Sequence, residues 1–161
     1  MGKIGQFFVN RDNKLMMLRL SFGIIYFWFG ALKFFPHLSP AENLAQDTIY
    51  NLVLGIMPKH TGLILLAIME CGIGLLFVSG RFIKTAIIVS LLHMACTFTP
   101  LFFFSEISFA KPPLVFTLVG QYIMKNIVFI CALWLLWPTE RIAEVKQTAF
   151  IKRRVAEEIE A

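Results

Sequence analysis

Four apolar stretches, at about 17–35, 61–79, 82–104 and 114–137, constrain this chain more than any other feature. Each is bounded by charged residues or by Pro and Gly. At 1.5 Å of rise per helical residue, roughly 20 residues match the ~30 Å hydrocarbon core of a bilayer. Lipid offers no hydrogen bonds, so a spanning segment must satisfy its own backbone, and a helix does so within one segment. The expected fold class is therefore an all-α membrane protein, a four-transmembrane-helix bundle. Residues 1–137 form that single bundle and 138–161 form a tail. The composition agrees: 58% of the 161 residues are hydrophobic and 16% are charged, against about 25% charged in ordinary soluble domains.

Orientation follows from where the Lys and Arg residues fall, because short cytoplasmic loops carry the excess. One side holds Lys3, Arg11, Lys14, Arg19, Arg81, Lys84, Arg141, Lys146, Lys152, Arg153 and Arg154. The other holds only Lys33, Lys59 and Lys111. Both termini are expected in the cytoplasm. This distribution accounts for the net charge of +5 with the lipid bilayer as partner; no nucleic-acid recognition pattern accompanies it. The first stretch follows a basic segment as a signal peptide would. It is long, aromatic, carries Lys33 and lacks a small-residue cleavage pattern, so it is expected to stay in place.

Two elements outside the spans are expected. Ser39-Pro40-Ala41-Glu42 combines a capping-box spacing with proline at the first helical position, and Gly55 ends the run. This predicts a short outer-loop helix over 40–54, either a spacer or a lid. In the tail, Ile142, Val145, Ala149, Val155 and Ile159 recur at helical spacing with Lys152, Arg153 and Arg154 between them. That spacing predicts an amphipathic C-terminal helix; Glu157, Glu158 and Glu160 dilute its attraction to an anionic leaflet, and a partner-docking helix and a solvated tail both stay open.

Helical spacing also assigns a polar face to each span. In the first, Arg19, Gly23, Tyr26, Gly30 and Lys33 step by four, three, four and three, drawing one stripe. In the second, Ala67, Glu70, Cys71 and Gly74 share a face; in the third, Ser90, His93, Thr97 and Pro100; in the fourth, Gln121, Tyr122, Lys125 and Asn126. Small residues on such faces let helices approach closely. Arg19 and Lys33 lie near the ends of their span and read as interfacial anchors, with Tyr26 as core.

Glu70, His93 and Lys125 fall near the middle of three separate spans. Ionisable groups in hydrocarbon are costly, by about 2.5–3.5 kcal/mol on insertion scales, and normally face a bundle interior. A Glu70/Lys125 ion pair, with His93, Gln121, Tyr122 and Asn126 around it, is the expected buried cluster. It would serve as a proton or ligand site, or only fix the helix register. Cys71, Cys96 and Cys131 all lie within spans, without CxxC, and read as small packing residues rather than a disulfide framework. His93, Glu70 and Cys96 carry no metal-ligand spacing, and no phosphate loop, HExxH or nucleophile elbow occurs. No motif for binding a cofactor is recognisable, and a quinone is the candidate compatible with a buried acid/base cluster.

The run Arg19…Gly30-Ala-Leu-Lys33, then Glu70-Cys-Gly-Ile-Gly74 with Gly80-Arg81, then Gly120-Gln121-Tyr122-Ile-Met-Lys125-Asn126 resembles the DoxX-like bacterial membrane proteins. The resemblance extends from the first span to the fourth. It implies a four-helix protein of the bacterial cytoplasmic membrane, in a family that includes a subunit of a thiosulfate:quinone oxidoreductase and members linked to redox-protection complexes.

The expected function is that of a membrane subunit or accessory of a quinone-linked redox assembly, not catalytic alone, with an oxidoreductase partner or a homo-oligomer completing it. Two alternatives stay open: a membrane scaffold whose buried charges only specify folding, and a small carrier of ions or polar solutes.

Overall fold

A computed structural model of the chain describes residues 10–138; the expected tail helix lies outside them. Helix α1 is Arg11–Leu32, α2 Glu42–Leu52, α3 Lys59–Ser79 and α4 Ile83–Thr97. The short helices α5, Pro100–Phe103, and α6, Ser105–Ser108, lead into a hairpin of β1, Phe109–Lys111, and β2, Val115–Phe116. Helix α7, Leu118–Leu136, ends the described part. Four helical segments are long and apolar enough to cross a membrane, as in a multi-pass membrane protein: Arg11–Leu32, Lys59–Ser79, Ile83–Phe103 and Leu118–Leu136.

The observed boundaries have local causes. Helix α1 begins six residues before the apolar run because the Asn10 side chain accepts from the Asp12 N–H at 2.9 Å, and Asp12 sits favourably in the first turn. It ends where Phe34 and Phe35 make tightened turns to Ala31 and Leu32 and Pro36 offers no N–H. The third span is not one straight helix. Pro100 cannot donate to the Cys96 carbonyl; the Thr99 hydroxyl takes that acceptor at 2.7 Å, and α4 gives way to α5. The fourth span begins at Leu118, because the preceding residues form β2 and Thr117 caps the helix by accepting from the Gly120 N–H.

The outer-loop helix is present but starts differently from the capping-box expectation. Ala41 adopts a left-handed conformation with φ 53°, so Ser39 cannot cap, and α2 begins at Glu42 without a side-chain cap. The Glu42 carboxylate instead accepts from the His37 N–H at 2.9 Å, closing the preceding turn. The helix is pinned to α3 by the Lys59–Asp47 ion pair and by Ile49 packed against Gly62.

The spanning helices close a ring in which α1 packs on α3, α3 on α4, α4 on α7 and α7 back on α1. The α7–α1 seam is the loosest of the four. Phe22, Tyr26, Ile73, Phe77, Ala86, Ile87, Met94 and Leu133 fill the interior. Large apolar side chains such as Ile24, Trp28, Leu92 and Val128 point outward, as lipid permits.

The α1–α3 contact is the tightest. A Cβ at Gly74 would stand 2.6 Å from the Phe27 nitrogen, and one at Gly30 would stand 2.8 Å from the Cys71 nitrogen and 2.9 Å from the Glu70 Cβ. Backbone therefore lies on backbone across this seam, which is how small residues drive helix association in lipid.

Candidate functional site

The close α1–α3 approach brings the stripe of the first span onto Glu70. Side chains on a helix tilt toward its N-terminus, so Lys33, at the C-terminal end of α1, reaches back toward the middle of the bundle. The Lys33 N–H bonds to Gly30 rather than to Phe29, and the ammonium takes the Phe29 carbonyl at 3.3 Å. The same ammonium donates to Glu70 Oε2 at 2.6 Å. Both side chains are buried, at 10% and 7% exposure.

The other carboxylate oxygen faces α4. His93 Nε2 lies 3.3 Å from Glu70 Oε1, and His93 Nδ1 lies 3.4 Å from the Tyr26 hydroxyl. The Tyr26 and His93 rings also pack, with centroids 5.7 Å apart. One turn earlier on α4, the fully buried Ser90 hydroxyl stands beside the Tyr26 hydroxyl but makes no hydrogen bond of good geometry. The result is a continuous polar series, Lys33, Glu70, His93, Tyr26, passing between α1, α3 and α4 inside an apolar bundle.

Its chemistry follows from the donor inventory. A neutral His93 with hydrogen on Nε2 donates to Glu70 and accepts from the Tyr26 hydroxyl; an imidazolium donates at both nitrogens, and the tyrosine turns to accept. Passing a proton from Tyr26 to Glu70 through the ring moves the imidazole hydrogen from Nε2 to Nδ1, so each transfer is followed by a reset of the tautomer and of the hydroxyl, and no step requires backbone movement. Lys33 compensates the carboxylate charge, without which a carboxylate at this depth would be strongly disfavoured.

The expected Glu70/Lys125 pair is not formed, and Lys33 occupies that role. Lys125 is exposed, its ammonium 4.9 Å from the centre of the Tyr122 ring. Gln121 and Tyr122 are exposed beside it. The reason is azimuthal: similar depth put Lys125 level with Glu70, but its helix presents that face away from the bundle. Asn126, one residue round the helix, faces inward and donates to Thr97 Oγ1 at 2.9 Å, tying α7 to α4. His93 does meet Glu70.

Arg19 is half-buried, with its guanidinium over Gly80, where φ is 71° and α3 ends. A cation there complements the negative end of the α3 dipole. Its Nε is buried and has no hydrogen-bond partner among the described residues. Lys33, taken from the sequence as an anchor, is the member of the cluster that sequence reasoning misplaced; Tyr26 lies in the core as expected, and its hydroxyl joins the cluster from there. The signal was the four-three-four-three stripe, which already set both on the face of Gly30. Cys71 and Cys96 are half-buried, Cys131 is exposed on α7, and all are free. Among the described residues no group of three or more His, Cys, Asp or Glu side chains converges as metal ligands would.

No family model, curated protein or solved structure matches the chain.

Proposed function

We propose that this chain is a DoxX-like protein of the bacterial cytoplasmic membrane, with both termini in the cytoplasm, acting as a membrane subunit or accessory of a quinone-linked redox assembly. The observation that carries this reading is the buried series of Lys33, Glu70, His93 and Tyr26. Quinone reduction takes up one proton for each electron, so a protein at a quinone site needs acid and base groups within the membrane. Here Glu70 and His93 would hold and pass the proton, and Tyr26 would relay it. Lys33 would balance the carboxylate charge and offer a donor to a headgroup carbonyl. The motif resemblance and the basic bias of one set of loops support the family and the orientation.

This chain carries no motif for an electron carrier, so a partner supplies the electrons. Purification from native membranes in mild detergent is expected to yield an assembly with a flavin-, haem- or iron–sulfur-containing oxidoreductase, whose quinone reduction falls when Glu70→Gln replaces the native chain. Isolation of the chain alone, with wild-type quinone turnover in Glu70→Gln membranes, would remove the proposal. The scaffold reading has one observation in its favour, the pairing of each Glu70 oxygen with a side chain of another helix, Lys33 on one and His93 on the other. It is favoured if Lys33→Met/Glu70→Gln membranes retain full activity.

A further inference from the structure

The α7 face bearing Lys125 has a feature that the Glu70 site does not use. Lys125, Gln121 and Tyr122 form an exposed polar patch in the N-terminal half of a spanning helix. Among the described residues, no carboxylate lies within ion-pair distance of the Lys125 ammonium. Three, four and seven residues further along the same face, Val128, Phe129 and Ala132 line an open apolar groove whose other wall is Ser21, Phe22 and Ile25 of α1. The groove sits at the loosest seam of the ring. Its floor is the edge-to-face contact of Phe22 with Phe129, centroids 5.5 Å apart.

From Gln121 to Ala132 this face runs about 16 Å along the helix axis, across the middle of a span. Each leaflet supplies only ~15 Å of hydrocarbon depth. A single acyl chain with its headgroup at Lys125 would not also fill a groove in the opposite half. A helix that crosses the whole bilayer meets both. An ammonium facing hydrocarbon calls for a carboxylate opposite it, because charged side chains at depth pair with one another.

A second copy of this chain does not supply that carboxylate. Among the described residues the acidic side chains of the spans are Asp12, in the first turn of α1, and Glu70, which is buried between Lys33 and His93. A two-fold contact through this face would set one Lys125 near the other. We infer that the Gln121-to-Ala132 face and the α1–α7 groove dock a transmembrane helix of a different protein, which places an Asp or Glu against Lys125 and apolar residues against Val128 and Phe129. This goes beyond the proton-handling reading and does not depend on it: a failed adduct leaves the Glu70 test intact.

The test is photo-crosslinking in the native membrane with a benzoylphenylalanine at Val128, and a control at Leu92 on the exposed face of α4. The expected result is an adduct at position 128, not at 92, with a membrane protein whose crosslinked spanning segment contains an Asp or Glu. Lys125→Glu should lower that adduct at least about thirtyfold, as loss of a buried charged partner does. Lys125→Arg should retain it, and exchanging the partner's acid for Lys should restore it in the Lys125→Glu chain. Should Lys125→Glu fail to accumulate, Lys125→Gln removes the charge without reversing it and is read the same way. An adduct with a second copy of this chain, an adduct with lipid alone, or a protein adduct indifferent to Lys125→Gln overturns the inference.

Discussion

Lys33 and Glu70, 37 positions apart in the chain, meet at 2.6 Å inside the bundle. The contact joins the C-terminal end of one spanning helix to the middle of another, and it exists because Gly30 lets the two backbones touch one turn before the lysine. The pair is therefore asymmetric. Lys33 stands at the C-terminal end of α1, whereas Glu70, twelfth of the 21 residues of α3, lies at mid-helix with its side chain buried.

That asymmetry sets the order of two substitutions. Lys33→Met strands a carboxylate in the core, and removing one partner of a buried ion pair costs about 3–5 kcal/mol. Glu70→Gln is expected to cost less, since the freed ammonium can turn toward the interface and the amide still accepts from His93. Lys33→Met/Glu70→Gln should recover most of the loss seen in Lys33→Met. Unfolding of the purified protein by denaturing detergent measures all three; equal losses in the two single variants would contradict the asymmetry.

The His93 tautomer is a second expectation. With Glu70 Oε1 facing Nε2 and the Tyr26 hydroxyl facing Nδ1, the neutral ring should carry its hydrogen on Nε2. Tyr26→Phe keeps the ring packing on Phe77 and removes only one hydrogen bond, worth about 1 kcal/mol, so it should fold and leave the tautomer unchanged. Nitrogen NMR of labelled histidine reads the tautomer directly. A dominant Nδ1–H form in the native protein would mean that the series does not connect as described.

How much of this was legible in the sequence depends on the kind of information. Length and apolarity mark the four spans, because hydrocarbon thickness is a one-dimensional constraint that a sequence expresses directly. Boundaries shifted wherever a single hydrogen bond decided them, as at Asn10, Thr99 and Thr117. Depth placed Glu70 and His93 correctly, yet it chose the wrong lysine. Rotation of a helix about its axis is set by packing, and α7 turns Lys125 outward while α1, held by Gly30 and Gly74, turns Lys33 inward. The glycines and the polar stripe of the first span contained the answer; what was missing was the reach of a lysine back along its own helix.

Asn126 offers a test of that azimuth. Its amide donates to Thr97 Oγ1, and Thr97 in turn donates to the Met94 carbonyl at 2.7 Å. Asn126→Leu and Thr97→Val should each destabilise the protein by roughly 0.6–2 kcal/mol, the range for interhelical hydrogen bonds in membranes. The two effects should not add, because both remove the same bond. Additive losses in a double-variant cycle would place Asn126 elsewhere.

The glycine seam gives the sharpest contrast, because α3 carries two glycines two residues apart in opposite environments. A Cβ at Gly72 meets nothing within 4 Å, whereas at Gly74 it would press on the Phe27 nitrogen at 2.6 Å and the Gly23 carbonyl at 2.8 Å. Both contacts are backbone, so neither can turn aside. Gly72→Ala is expected to be neutral or to stabilise by up to about 1 kcal/mol through helix propensity. Gly74→Ala should force α1 and α3 apart and cost about 1–3 kcal/mol, as overpacking does. Because Gly30 holds Lys33 on the same seam, the wider separation should also lengthen the Lys33–Glu70 contact. A Lys33→Met substitution made in the Gly74→Ala background is then expected to cost less than in the native chain. Detergent unfolding of the four chains decides it, and an undiminished Lys33→Met effect would mean that the ion pair does not depend on the glycine contact.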